Sequence, residues 1–192
     1  MDNYSVEYTV TMRKLSTWTA CICTLLLLLS SGACKSRQNL SEATIEEPKE
    51  AAGLQSFIHT GDSGAASQLL KGFYDIEAGS WRWTARNFSV LLAPPKGAAE
   101  KGARLVLRLT VPEPVAKKLG SVTLRASIEG VDLPPETFSK EGQFDYVRDV
   151  PPQALAKNAV TVDFALDKSL PPSGADQREL GIVATAVGFE AK

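Results

Sequence analysis

Val122-Thr123-Leu124-Arg125-Ala126-Ser127-Ile128-Glu129 alternates apolar and polar residues without a break. A β-strand sends successive side chains to opposite faces. Val122, Leu124, Ala126 and Ile128 therefore share one face, and Thr123, Arg125, Ser127 and Glu129 the other. The same period runs through Ala103–Val111, where Leu105, Leu107, Leu109 and Val111 oppose Arg108 and Thr110. It recurs in Ala159–Asp167, where Val160, Val162, Phe164 and Leu166 oppose Thr161, Asp163 and Asp167. Strands with one apolar and one wet face belong to antiparallel sheets.

Outward from these three, Leu70–Tyr74, Trp81–Ala85, Phe88–Ala93 and Gln143–Arg148 read as further strands. Leu180–Phe189 is apolar with little alternation, which suits a central strand buried on both faces. Turn signals separate them: Ala78-Gly79-Ser80, Pro94-Pro95-Lys96-Gly97, Pro134-Pro135, Pro151-Pro152 and Pro171-Pro172-Ser173-Gly174. Four Pro-Pro pairs exclude long helices there, since an interior proline removes a hydrogen bond and clashes with the preceding turn. The best helical turn is Pro152–Lys157, with its proline at a tolerated first-turn position. The expectation is an all-β fold, an antiparallel β-sandwich of about 8–9 strands, jelly-roll or immunoglobulin-like. A doubly wound fold lacks its crossover helices.

The 192 residues carry 21 Lys plus Arg against 22 Asp plus Glu, a net charge of −1. That balance offers no broad basic surface for nucleic acid. One His and three Cys exclude most zinc sites and His-based catalysis. There is no glycine-rich phosphate loop and no Cys-x-x-Cys in the body, so no cofactor is expected.

The N-terminus has a different character. Arg13-Lys14 is followed by the apolar run Ala20–Leu29 and then Ser30-Ser31-Gly32-Ala33-Cys34. A charged start, a short apolar run and small residues make up a secretory signal. The run is about half the roughly 20 residues a membrane-spanning helix needs. Ser31-Gly32-Ala33-Cys34 resembles the bacterial lipobox, with Ser31 where that pattern usually has Leu. The resemblance implies cleavage before Cys34, acylation of Cys34 and anchorage in membrane lipid. Lys35 follows; the Asp that would favour inner-membrane retention is absent, so the outer membrane is favoured. Asp2 and Glu7 suit a signal peptide poorly, which points to Met12 as the true start. Residues 35–53 are polar and without period, as in a flexible tether. The domain reading is thus 1–33 signal peptide, 34–53 lipidated Cys and linker, and 54–192 β-sandwich.

Gly72-Phe73-Tyr74-Asp75-Ile76-Glu77 with Trp81-Arg82-Trp83-Thr84, and later Asp176-Gln177-Arg178-Glu179-Leu180-Gly181, resemble the opening and closing stretches of small β-sandwich modules attached to some bacterial glycosyltransferases and methyltransferases. Those modules are similar to galactose-binding-like jelly rolls. The resemblance implies a jelly-roll fold and an accessory role.

Trp81 and Trp83, two apart in a strand, point the same way. Facing outward they would form a flat platform for stacking sugar rings. Facing inward they would be core, leaving Arg82 and Thr84 exposed; one ring buried and one at the rim is the third arrangement. Asp75, Glu77 and Arg178 are the polar members of the two motifs. They are ligand contacts or, as the simpler reading has it, a carboxylate–Arg178 pair pinning strand ends. Gly61-Asp62-Ser63-Gly64 resembles a serine-nucleophile tetrapeptide, but its chemistry needs a base. The sole His59 is four positions earlier, and the tetrapeptide is also a good turn. Asp145, Asp149, Asp163, Asp167 and Asp176 show no calcium-loop spacing.

These readings lead to a non-enzymatic, lipid-anchored envelope protein whose sandwich binds a glycan or a protein partner. The alternative is a structural or assembly lipoprotein with no small-ligand site. A hydrolase is disfavoured. No metal, nucleic acid or catalytic residue is expected.

Overall fold

The computed structural model describes residues 53–192. The signal segment, Cys34 and the tether as far as residue 52 lie outside the described residues. Nine strands follow in order: β1 (Phe57–His59), β2 (Leu69–Glu77), β3 (Trp81–Leu92), β4 (Ala103–Val111), β5 (Val122–Ile128), β6 (Val131–Phe138), β7 (Gly142–Val150), β8 (Val160–Leu166) and β9 (Val183–Ala191). Every pairing among them is antiparallel. The fold is an all-β antiparallel sandwich.

The strand path is β6-β5-β8-β3-β9-β4-β7, with β1 added to β9 and β2 to β3. β3 belongs to both layers. Its second half, Asn87–Leu92, pairs with β8, while Arg82 and Trp83 pair with β9. The two ends of the path are tied by side chains. The Tyr146 hydroxyl of β7 donates to the Pro134 carbonyl of β6 at 2.9 Å, and Arg148 Nε donates to the same oxygen at 2.7 Å.

The alternating segments point as their period requires. Leu105, Leu107, Leu109, Val111, Val122, Leu124, Ala126, Ile128, Val160, Val162, Phe164 and Leu166 are all buried in one core. Each large aliphatic side chain buried there contributes about 1.5–3 kcal/mol. Phe88 stacks on Phe164 with centroids 4.9 Å apart, which joins β3 to β8 inside that core.

The structure differs from the sequence reading in four places. Pro134-Pro135 does not break the chain but lies inside β6. β6 is an edge strand with a register shift opposite Leu124–Ala126, so the missing N–H groups interrupt little of the ladder. Trp81–Ala85 and Phe88–Ala93 are one continuous strand. A seven-residue helix, α2 (Glu113–Leu119), follows β4 after the four-residue α1 (Ala98–Lys101). Pro112 and Pro114 start α2, and the Lys168 ammonium caps its end by donating to the Leu119 and Ser121 carbonyls. The last strand begins at Val183, after a single bridge between Leu170 and Leu180. As expected it is buried on both faces: Ala184, Val187 and Phe189 face the core, while Val183, Ala186 and Gly188 are covered on the other side. Thr185 is the bulge residue that shifts the alternation between these two sets.

Candidate functional site

The two motifs separated by about a hundred residues meet at one corner of the sandwich. β2 and β3 form a hairpin in which Glu77 pairs with Trp81. The loop after β8 turns back through the Ser173–Asp176 bridge and lays residues 176–181 against this hairpin. Gly181 N donates to Thr84 O at 2.7 Å. A Cβ on Gly181 would come within 2.6 Å of the Leu166 side chain and 2.9 Å of the Ala85 carbonyl, so only glycine permits this approach.

Arg178 is the hub. It donates to Glu77 Oε1 at 2.8 Å and to Asp176 at 2.9–3.0 Å, and its guanidinium lies 5.2 Å from the centre of the Tyr74 ring. These charge-assisted bonds hold Asp176 well below the ordinary carboxylate value, at about 2, and raise Arg178 further, keeping it charged. The Tyr74 hydroxyl donates to the Glu179 carbonyl at 2.8 Å. Glu179 in turn accepts from Ser169 at 2.7 Å. The side chains of Arg178, Glu77 and Asp176 remain 34%, 35% and 40% exposed, so hydrogen-bonding capacity still faces solvent.

Trp81 and Trp83 lie beside this cluster, both half-buried. Their rings meet edge to face, 6.4 Å apart with planes at 77°. That arrangement differs from the flat platform of coplanar rings: it presents two aromatic faces near a right angle. Trp83 packs against the core. Its strand neighbours are not exposed as an inward Trp pair would leave them. Thr84 is fully buried and its hydroxyl accepts from Ile182 N. Arg82 is half-buried and donates to the Thr60 and Tyr74 carbonyls at 2.7 Å each. Both faces are covered here because β3 crosses between the two layers at this point.

Of the polar motif residues, Glu77 and Arg178 are brought together as a pair, and Asp75 stands apart, exposed on β2. Tyr74 and Asp176 complete the cluster. Tyr74 was visible only as the second aromatic of Gly72-Phe73-Tyr74, and nothing in sequence spacing joins it to Arg178. The Gly61-Asp62-Ser63-Gly64 segment forms a turn and a short 3₁₀ helix, Ser63–Ala65. His59 is exposed on edge strand β1, and its ring packs against Phe57.

No family model matches the sequence, and no curated protein matches it. Among solved structures, the chain is similar to the CBM51-2 and INT domains of Clostridium perfringens ZmpB in complex with GlcNAc. Identity is 15%, coverage is 72% of this chain and 28% of that chain, and the TM-score is 0.35. The M60 catalytic domain of the same protein with its CBM51-1 and CBM51-2 domains gives 13% identity, 72% and 14% coverage and a TM-score of 0.35. A CBM4 structure gives 14% identity, 69% and 80% coverage and a TM-score of 0.29. The chain thus spans less than a third of the ZmpB chains it matches.

Proposed function

We propose that the chain is a non-enzymatic lipoprotein, acylated at Cys34 and held at the cell envelope, with the outer membrane favoured, whose sandwich binds a glycan at the Trp81–Trp83 corner. The observation that supports this reading is the juxtaposition of two half-exposed indoles with the Glu77–Arg178–Asp176 cluster. Sugar rings stack their C–H faces on aromatic rings, while their hydroxyls both donate and accept hydrogen bonds. The corner offers aromatic faces, carboxylate acceptors and guanidinium donors side by side. The polar segment before the sandwich suits a tether between the acyl anchor and the binding domain.

Acrylamide quenching of tryptophan fluorescence in the mature chain tests the site; Trp18 leaves with the signal segment, so only Trp81 and Trp83 report. Partial quenching relieved by a saccharide is the expected result. Quenching that no saccharide relieves counts against the site. Metabolic labelling with a palmitate analogue tests the anchor, with loss of label expected in Cys34→Ala.

The alternative assembly role has its own supporting observation. Val147, 38% exposed, lies on edge strand β7, which pairs only with β4 among the described residues. A photo-crosslinker at position 147 that captures one defined envelope protein would favour it.

A further inference from the structure

A second site lies on the other layer, across the outer face of β3, β8, β5 and β6. The register builds it. Asn87, Ala165 and Arg125 are neighbours in one cross-strand row, and Ser89, Asp163, Ser127 and Asp132 in the next. The short side chains of Ala165 and Ser127 sit between longer ones, which leaves a trough. Two adjoining hollows of about 400 and 450 Å³ share Asn87, Arg125 and Ala165, and a third of about 250 Å³ continues from Arg125 past Asp132 to Pro135. Arg125 lines all three, so the trough is elongated and Arg125 marks its middle.

Its charges balance: Lys71, Arg86 and Arg125 against Asp132, Asp163 and Asp167. Some are already engaged. Lys71 pairs with Asp163 at 3.5 Å, Asp167 accepts from Thr123 N at 2.7 Å, and Arg86 Nε donates to Leu166 O at 3.0 Å. Among the described residues, Arg125 and Asp132 have no ion-pair partner, and the Asn87 and Ser127 side chains make no hydrogen bond. Free donors and acceptors therefore face an open trough with no net charge. A polyanion would meet the three aspartates and a polycation the three basic groups. A peptide would find no strand edge to extend: β3, β8 and β5 are paired on both sides here, and on edge strand β6 Pro134 and Pro135 lack N–H groups and their carbonyls are taken by Arg148.

We propose that this trough binds a neutral, extended polysaccharide through its hydroxyl groups, with Arg125 and Asp132 as the central contacts. The inference rests on the glycan-binding reading above but places a separate site on a different face. The test is affinity electrophoresis of the full chain, kept in a polyoxyethylene detergent that carries no sugar. The gels contain dextran, galactomannan or mixed-linkage β-glucan, with alginate as the anionic probe. Retardation by at least one neutral polymer is expected. Arg125→Ala, which removes an exposed contact, and Ala165→Trp, which fills the trough, should each weaken it about tenfold or more, with circular dichroism unchanged. Trp81→Ala should leave this retardation within about threefold. Retardation that survives both trough variants but disappears in Trp81→Ala overturns the trough and leaves the corner site standing. Alginate retarding the chain as strongly as the neutral polymers overturns the trough's neutral specificity. No retardation by any neutral polymer overturns the trough, and saccharide protection of Trp81 and Trp83 from acrylamide then decides the corner by itself.

Discussion

At the residue scale, Asp176 and Tyr146 carry pH dependences of opposite sign. Arg178 holds the Asp176 carboxyl at about 2, against an ordinary value of 3.8. A depressed carboxyl contributes stability that is present above its unfolded value and lost as pH falls through the folded one. The corner is therefore expected to loosen between about pH 4 and pH 2. Asp176→Asn should flatten that part of the acid-unfolding profile, and a carboxyl resonance titrating near the ordinary value would refute the pairing. Tyr146 runs the other way. Its fully buried ring raises the phenol to about 12 from 10.0. A raised phenol contributes stability that is complete below pH 10 and is lost as the pH climbs toward 12. Tyr146→Phe removes this dependence and the hydrogen bond to Pro134, costing about 1 kcal/mol at neutral pH. Urea unfolding at pH 7 and pH 11 checks both effects.

At the element scale, the short β1 depends on a single glycine. Phe57 pairs with Gly188, and a Cβ there would fall 2.4 Å from the Phe57 Cα and 2.6 Å from its ring and from Ser56 O. Two of these three are backbone contacts, which cannot yield cheaply. Gly188→Ala is expected to cost about 2–3 kcal/mol and to release β1 from β9. Hydrogen exchange reads this directly: the Phe189 amide, bonded to Ser56 O at 2.7 Å, and the Thr60 amide, bonded to Thr185 O at 2.9 Å, should lose protection together. Protection retained at both would show that β1 stays docked. The period-2 pattern located β4, β5 and β8 because each has one face in the core and one in water. It missed β6, where Val131, Leu133 and Phe138 are interrupted by two prolines. It missed α2 because seven residues carry too little period to separate from a loop.

At the scale of the whole molecule, the ends of the strand path are closed by side chains instead of a ladder. Arg148 donates to the Pro134 and Pro135 carbonyls, pairs with Glu136 at 2.9 Å, and lies 4.3 Å from the Tyr146 ring centre. Prolines leave β6 with acceptors and few donors, and a guanidinium supplies the missing donors in a fixed planar fork. Arg148→Ala is expected to cost about 1.5–3 kcal/mol. Arg148→Lys should recover only part of that, because one ammonium cannot reproduce the fork. Equal stability of the two variants in thermal denaturation would show that charge alone closes the sheet. The same bridge occupies edge carbonyls of β6 that would otherwise invite pairing with another strand.

The fold class is legible in the chain alone, because alternation of apolar and polar residues is a local property that any half-buried strand must satisfy. The sequence also marked the candidate residues by type: two tryptophans on one strand face, and carboxylates that could meet Arg178. Which carboxylate does so depends on how distant segments pack. Glu77, at the end of β2, reaches Arg178 in the segment after β8, whereas Asp75 stands off in a strand whose pairing with β3 is repeatedly shifted. The angle between the tryptophan rings, the burial of Thr84 and the trough around Arg125 also depend on tertiary structure. Each arises from cross-strand register between segments tens of residues apart, where a shift of one residue turns every side chain to the other face.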